Sequence, residues 1–157
     1  MNPTLSALLI CIIAAALEGA LAGSGVRQRF AALRMPPYSP PFTVWLLIGL
    51  AYYAISFIVL RQLLAADAVT LPFRVALALL LVILLSNALW SVLFFRRRDL
   101  RASFIAFVPY SVVVTALVVS LSRIFPLGAA LFVCYWIYLL YATWWGYRLW
   151  LLNTQET

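Results

Sequence analysis

Five long apolar segments are the feature of this sequence that most restricts how the chain can fold. They cover about residues 5–22, 43–64, 73–95, 102–121 and 127–152 of the 157-residue chain. An α-helix needs about 20 mostly apolar residues to cross the hydrocarbon core of a bilayer. Only helices and closed barrels satisfy every backbone polar group in lipid. We therefore predict an all-α integral membrane protein, with residues 1–157 forming one domain, a bundle of five transmembrane helices.

The composition argues against a soluble domain and against a nucleic-acid partner. Hydrophobic residues make up 67% of the chain and charged residues 10%, whereas typical soluble domains are about half apolar and about a quarter charged. The net charge of +7 is the balance of eleven arginines against four acidic residues, and the arginines lie between apolar segments or near their ends, not along a soluble basic face. Cys11 and Cys134 lie inside apolar segments and histidine is absent. The arginine distribution leads us to expect membrane lipids, and no nucleic acid, as partners. Two separate cysteines without histidine do not form a metal-ligand pattern, so no metal site is expected.

The arginines are distributed unevenly between the two ends of the predicted bundle. One end would carry Arg27, Arg29, Arg34, Arg96, Arg97, Arg98, Arg101 and Arg148. The opposite end would carry only Arg61, Arg74 and Arg123. Because positive residues concentrate on the cytoplasmic side, we predict an outside N-terminus, a cytoplasmic C-terminus and a bacterial inner membrane. The first apolar segment has no positive region before it and is expected to be a retained helix, not a signal peptide.

Three residues on one face of the third predicted helix combine an amide with aromatic rings. Asn87, Trp90 and Phe94 follow the spacing i, i+3, i+7, which places them on the same helical face. An unpaired amide is costly in hydrocarbon, so Asn87 should point into the bundle. Spacing leaves two alternatives open. Asn87 either bonds a neighbouring helix or is the polar anchor of a pocket lined by Trp90.

The fifth predicted helix carries a second row of aromatic residues with one small residue among them. Tyr135, Tyr138, Ala142 and Trp145 share one face. An alanine between flat rings leaves space that a planar ligand could occupy. The alternative is that the alanine lets helices approach closely and that the rings lie at the membrane interface. Both alternatives stay open on the pattern alone.

The inventory of chemically reactive side chains is small, and no catalytic residue is predicted. Glu18 is the only acidic residue inside a predicted span. Because it lies near the end of the first helix, a salt bridge or an interfacial position is favoured over a role in proton transfer. The sequence contains no phosphate-binding loop or dinucleotide-binding motif. Hydrolytic and metal-dependent chemistry are therefore not expected.

The order of these motifs resembles the TspO/MBR family, also called translocator proteins or tryptophan-rich sensory proteins. That family has five transmembrane helices and a third helix with the motif Asn-x-x-Trp-x-x-x-Phe-Phe. The motif is matched in full here by Asn87, Trp90, Phe94 and Phe95. The resemblance covers nearly the whole chain and keeps the order of the motifs.

Several tryptophans of the family motifs are replaced in this chain. The first loop of the family carries Trp-Tyr-x-x-Leu-x-x-Pro and then Trp-x-Pro-Pro. The corresponding residues here are Arg29, Phe30, Leu33 and Pro36, then Tyr38, Pro40 and Pro41. The fifth helix of the family carries Pro-Tyr-x-x-Trp and, near its end, an Asn. The corresponding residues here are Cys134, Tyr135, Tyr138 and Gly146.

The resemblance implies a ligand pocket inside the bundle, covered by the first loop. The ligand-binding residues would be Tyr38, Pro40, Pro41 and Trp45 on one side, Asn87, Trp90 and Phe94 on the third helix, and Tyr135, Tyr138, Ala142 and Trp145 on the fifth. No residue of this set is expected to be catalytic or to bind a metal.

The resemblance also implies a function and a class of ligand. The chain would be a membrane-embedded ligand-binding or sensory protein, a receptor or transport component, and a homodimer. Its ligand would be a planar hydrophobic molecule, a tetrapyrrole such as protoporphyrin IX or heme, and not a permanently bound cofactor. Two alternatives stay open. One is a light-dependent enzyme that degrades porphyrin, and the other is a carrier for a lipid, sterol or carotenoid with an altered pocket.

Overall fold

The computed structural model describes residues 2–66 and 70–154, and within them the chain is almost entirely helical. The described elements are α1 (Pro3–Ala22), α2 (Val26–Ala31), α3 (Phe42–Leu64), α4 (Leu71–Ser91), a π-helical turn (Val92–Arg96), α5 (Leu100–Ile105), α6 (Phe107–Ile124) and α7 (Pro126–Thr154).

Five helical segments are long and apolar enough to cross a membrane, which confirms the predicted fold class. They are Pro3–Ala22, Phe42–Leu64, Leu71–Arg96, Leu100–Ile124 and Pro126–Thr154. Their ends lie within a few residues of the predicted ones. Each begins or ends where the sequence supplies a signal. For example, Asn2 caps α1 by accepting a hydrogen bond of 2.9 Å from the Thr4 amide.

The fourth membrane segment is divided into α5 and α6, which hydropathy does not reveal. The division falls at Ala106. Pro109 follows three residues later and has no backbone N–H to donate to the Ile105 carbonyl, so the helical bonding pattern is interrupted there. The α5 part begins at Asp99, whose Oδ1 accepts a hydrogen bond of 2.8 Å from the Ala102 amide. The short α5 is therefore fixed by a cap at one end and a proline at the other.

The third membrane segment ends in a π-helical turn directly after Trp90. The Arg97 amide donates to the Val92 carbonyl, five residues earlier, at 2.8 Å. Such turns are rare in proteins overall, and those that occur are often at functional sites. Within this turn Val92 and Leu93 line one cavity of the protein, and Phe94 and Phe95 line another.

The membrane helices form a closed ring in the order α3, α1, α4, α6, α7, with α7 packing back on α3. Buried apolar side chains fill the centre, and the largest of these are Leu60, Leu80, Ile83, Leu117, Leu121 and Phe132. The outward faces carry exposed leucine, isoleucine and valine side chains, such as Leu47 and Leu50. Apolar residues on both faces are expected of a bundle whose surrounding solvent is lipid.

The proline-rich first connection is irregular, as predicted, except for α2 at its start. Residues 32–41 contain no regular helix. Tyr38 adopts a left-handed backbone conformation, with φ of 64°, within a turn that the Ser39 amide closes by donating to the Pro36 carbonyl at 3.3 Å. The connection lies over the end of the bundle at which α1, the π-helical turn and α7 end.

Candidate ligand-binding site

A cavity of about 470 Å³ lies between α4, α6 and α7, and we call it the apolar cavity. Its lining consists of Ser86, Asn87, Leu89, Trp90, Val92, Leu93, Arg97, Ala106, Phe107, Pro109, Tyr110, Val113, Tyr135, Tyr138 and Leu139. Small-molecule sites are typically about 300–1,000 Å³, mostly apolar, with a few polar groups that orient the ligand. The apolar cavity has this size and this composition.

Trp90 forms one wall of the apolar cavity, and its orientation is fixed from two directions. Its indole Nε1 donates to the Ser103 carbonyl of α5 at 3.0 Å. Its ring stacks on Phe94 with centroids 4.7 Å apart and planes 19° apart. Because the Asp99 cap anchors α5, the Ser103 carbonyl is itself held in place. The indole is therefore a rigidly held part of the cavity wall.

Asn87 lies one turn before Trp90, where it contacts the neighbouring helix α1 and also lines the apolar cavity. Its Nδ2 donates to Glu18 Oε2 on α1 at 2.9 Å, and the residue also lines the apolar cavity. No partner of the Asn87 Oδ1 atom is found within residues 2–66 and 70–154. The first alternative raised by the sequence is therefore observed, since Asn87 bonds a neighbouring helix. The second, a polar anchor for a ligand, stays a prediction.

Glu18 joins three helices through neutral donors. Tyr53 Oη on α3 donates to Glu18 Oε2 at 2.7 Å, beside the bond from Asn87. The sequence favoured a salt bridge or an interfacial position for Glu18. In the described part of the chain no arginine pairs with Glu18, so the salt bridge is not observed, and the interfacial position stays a prediction. Arg29, which follows the end of α1, instead donates to the backbone carbonyls of Ala22 and Phe95. Two donors on one carboxylate oxygen offset part of its desolvation.

Tyrosines of α3, α6 and α7 meet beside the apolar cavity. The hydroxyl oxygens of Tyr110 and Tyr135 are 2.8 Å apart, and one donates to the other. The Tyr52 ring lies 5.1 Å from the Tyr135 ring, and its buried hydroxyl makes no hydrogen bond in the described structure. Tyr138 adds a ring 5.8 Å from Tyr135. This end of the cavity therefore offers polar atoms within an aromatic wall.

Four hydrogen bonds tie the first connection to α7. Asn153 makes two of them, since its Oδ1 accepts from the Arg34 amide and its Nδ2 donates to the Arg34 carbonyl, both at 3.1 Å. Tyr141 Oη donates to the Tyr38 carbonyl at 3.1 Å, and Trp145 Nε1 donates to Ser39 Oγ at 2.8 Å. The Tyr38 side chain itself is 89% exposed and points away from the bundle. The backbone of this turn, not its tyrosine ring, therefore closes the end of the bundle.

Aromatic rings fill the space directly beneath the connection. Trp45 and Trp145 lie 4.7 Å apart, Phe30 stacks on Trp145 at 6.2 Å, and Phe94 lies 6.1 Å from Trp145. Trp145 is only 3% exposed, as is Ala142 one turn before it. This aromatic cluster continues into the Trp90 wall through Phe94 and into the Tyr138 wall through Trp45.

The structure divides the predicted ligand-binding residues into three groups. Asn87, Trp90, Tyr135 and Tyr138 line the apolar cavity. A second group, Trp45, Phe94, Ala142 and Trp145, lies in or beside the aromatic cluster beneath the connection. A third group, Tyr38, Pro40 and Pro41, belongs to the connection itself, where Pro40 is half-buried and Pro41 exposed.

Several residues that line the apolar cavity were not predicted from the sequence. Phe107, Tyr110 and Val113 come from the fourth membrane segment, where no motif was recognised. The only local signal there is Pro109–Tyr110, a helix breaker followed by a polar aromatic residue inside an apolar run. Arg97, read as part of a topology signal, also lies on the cavity lining. Its side chain forms no hydrogen bond or ion pair in the described part of the chain.

Comparison with known proteins identifies the family. No curated protein is similar enough to this chain to count as a match. The model of the TspO/MBR family matches residues 7–151, nearly the whole chain. The chain therefore belongs to the TspO/MBR family and is an integral membrane protein of the ligand-binding or sensory type.

Proposed function

We propose that the apolar cavity binds a planar hydrophobic molecule that carries an acid group, a tetrapyrrole such as protoporphyrin IX. The observation that carries the proposal is the Trp90 wall, a rigid aromatic face with the free Oδ1 of Asn87 one turn away. A flat ring system stacks on such a face, and the amide oxygen accepts a hydrogen bond from a pyrrole N–H. Stacked aromatic pairs contribute about 0.5–1.5 kcal/mol beyond the area they bury.

Arg97 supports the choice of an acidic ligand. It lines the apolar cavity and is exposed, so its guanidinium is available to a carboxylate at the cavity entrance. Arginine binds carboxylates through two parallel hydrogen bonds. Protoporphyrin IX carries two propionate groups at one edge of its ring. In the proposed orientation the ring stacks on Trp90 and the propionates bind Arg97, so the ligand contacts both the aromatic and the charged part of the cavity lining.

A comparison of protoporphyrin IX with its dimethyl ester tests the proposal. Binding to purified protein in detergent is followed in the dark by quenching of tryptophan fluorescence. We expect saturable quenching, and Arg97→Gln should weaken protoporphyrin binding while leaving binding of the ester nearly unchanged. Arg74→Gln, at the opposite end of the bundle, is the matched control. Linear quenching of equal strength in the native protein, Arg97→Gln and Arg74→Gln would contradict the proposal.

Light-dependent degradation of a bound porphyrin is the second candidate function. The aromatic cluster favours it, because Trp90, Phe94, Trp145 and Trp45 form a continuous series of rings with neighbouring centroids 4.7–6.1 Å apart. An indole next to an excited porphyrin is a source of electrons for photochemistry. Illumination of the complex, followed by absorbance and mass spectrometry, separates the two functions. A new product that disappears in Trp90→Phe favours degradation, and unchanged porphyrin favours binding alone.

A further inference from the structure

A second cavity lies at the end of the bundle where α2, the π-helical turn and the start of α5 meet. Its volume is about 1140 Å³, and it shares no lining residue with the apolar cavity. We call it the basic cavity. It is lined by Ser24, Gly25, Val26, Arg27, Gln28, Arg29, Ala32, Leu33, Phe42, Phe94, Phe95, Arg98 and Leu100.

The three arginines of the basic cavity have different roles. Arg29 Nη1 donates to the Ala22 carbonyl at 3.0 Å and to the Phe95 carbonyl at 3.1 Å. It thereby joins the end of α1 to the π-helical turn and holds one side of the cavity. Arg27 and Arg98 are exposed, and their side chains form no hydrogen bond or ion pair within the described residues. Their guanidinium groups are available to a ligand.

No acidic side chain in the described part of the chain forms an ion pair with these arginines. Glu18 accepts its hydrogen bonds from Tyr53 and Asn87. Asp99 accepts from the Ala102 amide as the cap of α5. Arg96 adds a further positive charge, because Arg29 Nη1 and Arg96 Nε would each lie 3.8 Å from a Cβ placed on Gly23. Like charges gathered without a counter-ion favour the binding of an anion.

The remaining wall of the basic cavity is apolar. Phe94 and Phe95 of the π-helical turn, Phe42 at the start of α3, Leu33 and Leu100 supply it. Phe94 and Phe95 meet edge to face, with centroids 4.9 Å apart. A free phosphate ion would leave this surface unused. A molecule with an oxyanion at one end and a hydrocarbon chain at the other would cover both parts.

We propose that the basic cavity binds an anionic amphiphile, with the oxyanion headgroup on Arg27 and Arg98 and the hydrocarbon chain against Phe95 and Leu100. The planar guanidinium group binds phosphate oxygens through paired hydrogen bonds, which a lysine ammonium group does not reproduce. The shared chemistry of the ligand is a phosphate-type oxyanion. Its two possible sources, a lipid headgroup and free phosphate, differ in the hydrocarbon chain, and this difference can be measured.

Isothermal titration calorimetry in a non-ionic detergent tests the proposal with three probes. Lysophosphatidic acid carries a phosphate and one acyl chain, lysophosphatidylcholine carries the same chain with a zwitterionic headgroup, and inorganic phosphate carries no chain. We expect saturable binding of lysophosphatidic acid, with one site per chain, and much weaker binding of the other two. Equal affinity for the two lysolipids would overturn the proposal. Phosphate binding as tight as that of lysophosphatidic acid would overturn the amphiphile and leave an oxyanion site.

A matched pair of double variants locates the site. Arg27→Gln with Arg98→Gln removes the two free guanidinium groups of the basic cavity, and Arg74→Gln with Arg123→Gln removes two exposed arginines at the opposite end. We expect the first variant to weaken lysophosphatidic acid binding about tenfold or more, because it removes two charge-assisted contacts. The second should bind like the native protein. An equal loss in both would show unspecific attraction to net charge and would overturn the site.

The test is independent of the tetrapyrrole proposal. The two cavities share no lining residue, so the Arg27 and Arg98 substitutions should leave protoporphyrin quenching unchanged. Both residues are exposed, and the thermal unfolding midpoint of the variant should match that of the native protein. If it does not, the single substitution Arg98→Gln replaces the double variant, with the same expected direction.

Discussion

Asn87 on α4 donates a hydrogen bond of 2.9 Å to Glu18 on α1, and the two residues are 69 positions apart in the chain. The bond links the wall of the apolar cavity to a helix that contributes nothing to its lining. The bond uses Nδ2 of the amide, and no partner of Oδ1 is found within residues 2–66 and 70–154. The orientation of the Asn87 amide in the cavity wall therefore depends on Glu18, a residue that does not line the cavity.

The Glu18 junction should be measurable as a stability effect. Glu18→Leu removes the acceptor of both Tyr53 and Asn87, and leaving a buried donor unsatisfied costs about 1–3 kcal/mol. Glu18→Gln keeps an acceptor oxygen and should cost less than about 1 kcal/mol, in line with the small average value of interhelical hydrogen bonds in membranes. Unfolding in detergent measures both. A glutamine variant as unstable as the leucine variant would contradict this account.

Trp90→Phe should affect stability and binding together. The substitution removes the hydrogen bond to the Ser103 carbonyl, which contributes about 0.5–1.5 kcal/mol. It also shortens the aromatic wall, so the Kd for protoporphyrin IX should rise several-fold. Trp144→Phe is the control, because Trp144 is 40% exposed on the outer face of α7. Equal effects of the two substitutions on porphyrin binding would be evidence against a role for Trp90.

Gly128→Ala should destabilise the bundle although alanine favours helices. A Cβ at this position would lie 2.4 Å from Phe125 Cδ1 and 3.1 Å from Val59 Cγ2. Overpacking of this kind costs roughly 1–3 kcal/mol. At Gly49 a Cβ meets no atom within 4 Å, so Gly49→Ala should be neutral or stabilising by up to about 1 kcal/mol. Thermal unfolding of the two variants should therefore shift in opposite directions or by clearly different amounts.

Ser39→Ala should loosen the connection over the aromatic cluster. It removes the acceptor of the Trp145 indole N–H and the donor to the Pro36 carbonyl. Hydrogen exchange of amides in residues 33–41 should become faster, while exchange in α7 changes little. Ser122→Ala is the control, because its hydroxyl bonds only the local Val119 carbonyl. Unchanged exchange in the connection would contradict this prediction and would mean that the bonds of Tyr141 and Asn153 are sufficient to hold it.

The fold was predictable from the sequence because hydropathy acts over whole helices. Runs of about 20 apolar residues have few alternatives to a membrane span. The details that were missed depend on single backbone positions. A hydropathy profile does not detect that Pro109 lacks the N–H whose absence divides α5 from α6. It also does not detect the extra residue that forms the π-helical turn after Ser91.

The candidate site was predictable only in part, for a geometric reason. Asn87 and Trp90 share a helical face, so their common position on one wall follows from their spacing. Whether Ala142 and Trp145 join them depends on the order of helices in the ring and on how large rings pack. Phe30 and Trp45 fill the space beside Trp145. Both lie far from α7 in the sequence, so the residue pattern of α7 does not predict these contacts. The Glu18 contact with Asn87 likewise depends on the packing of α1 on α4.

The central claim, that a planar ligand occupies the apolar cavity, is tested most directly by filling that cavity. Val113 lines it, whereas its neighbour Val112 is 66% exposed on the outer face of α6. The Kd for protoporphyrin IX is measured from the absorbance change of the porphyrin for Val113→Phe and Val112→Phe, after both are shown to unfold at similar temperatures. The account predicts a strong loss of affinity in Val113→Phe and native affinity in Val112→Phe. Native affinity in both variants would contradict it.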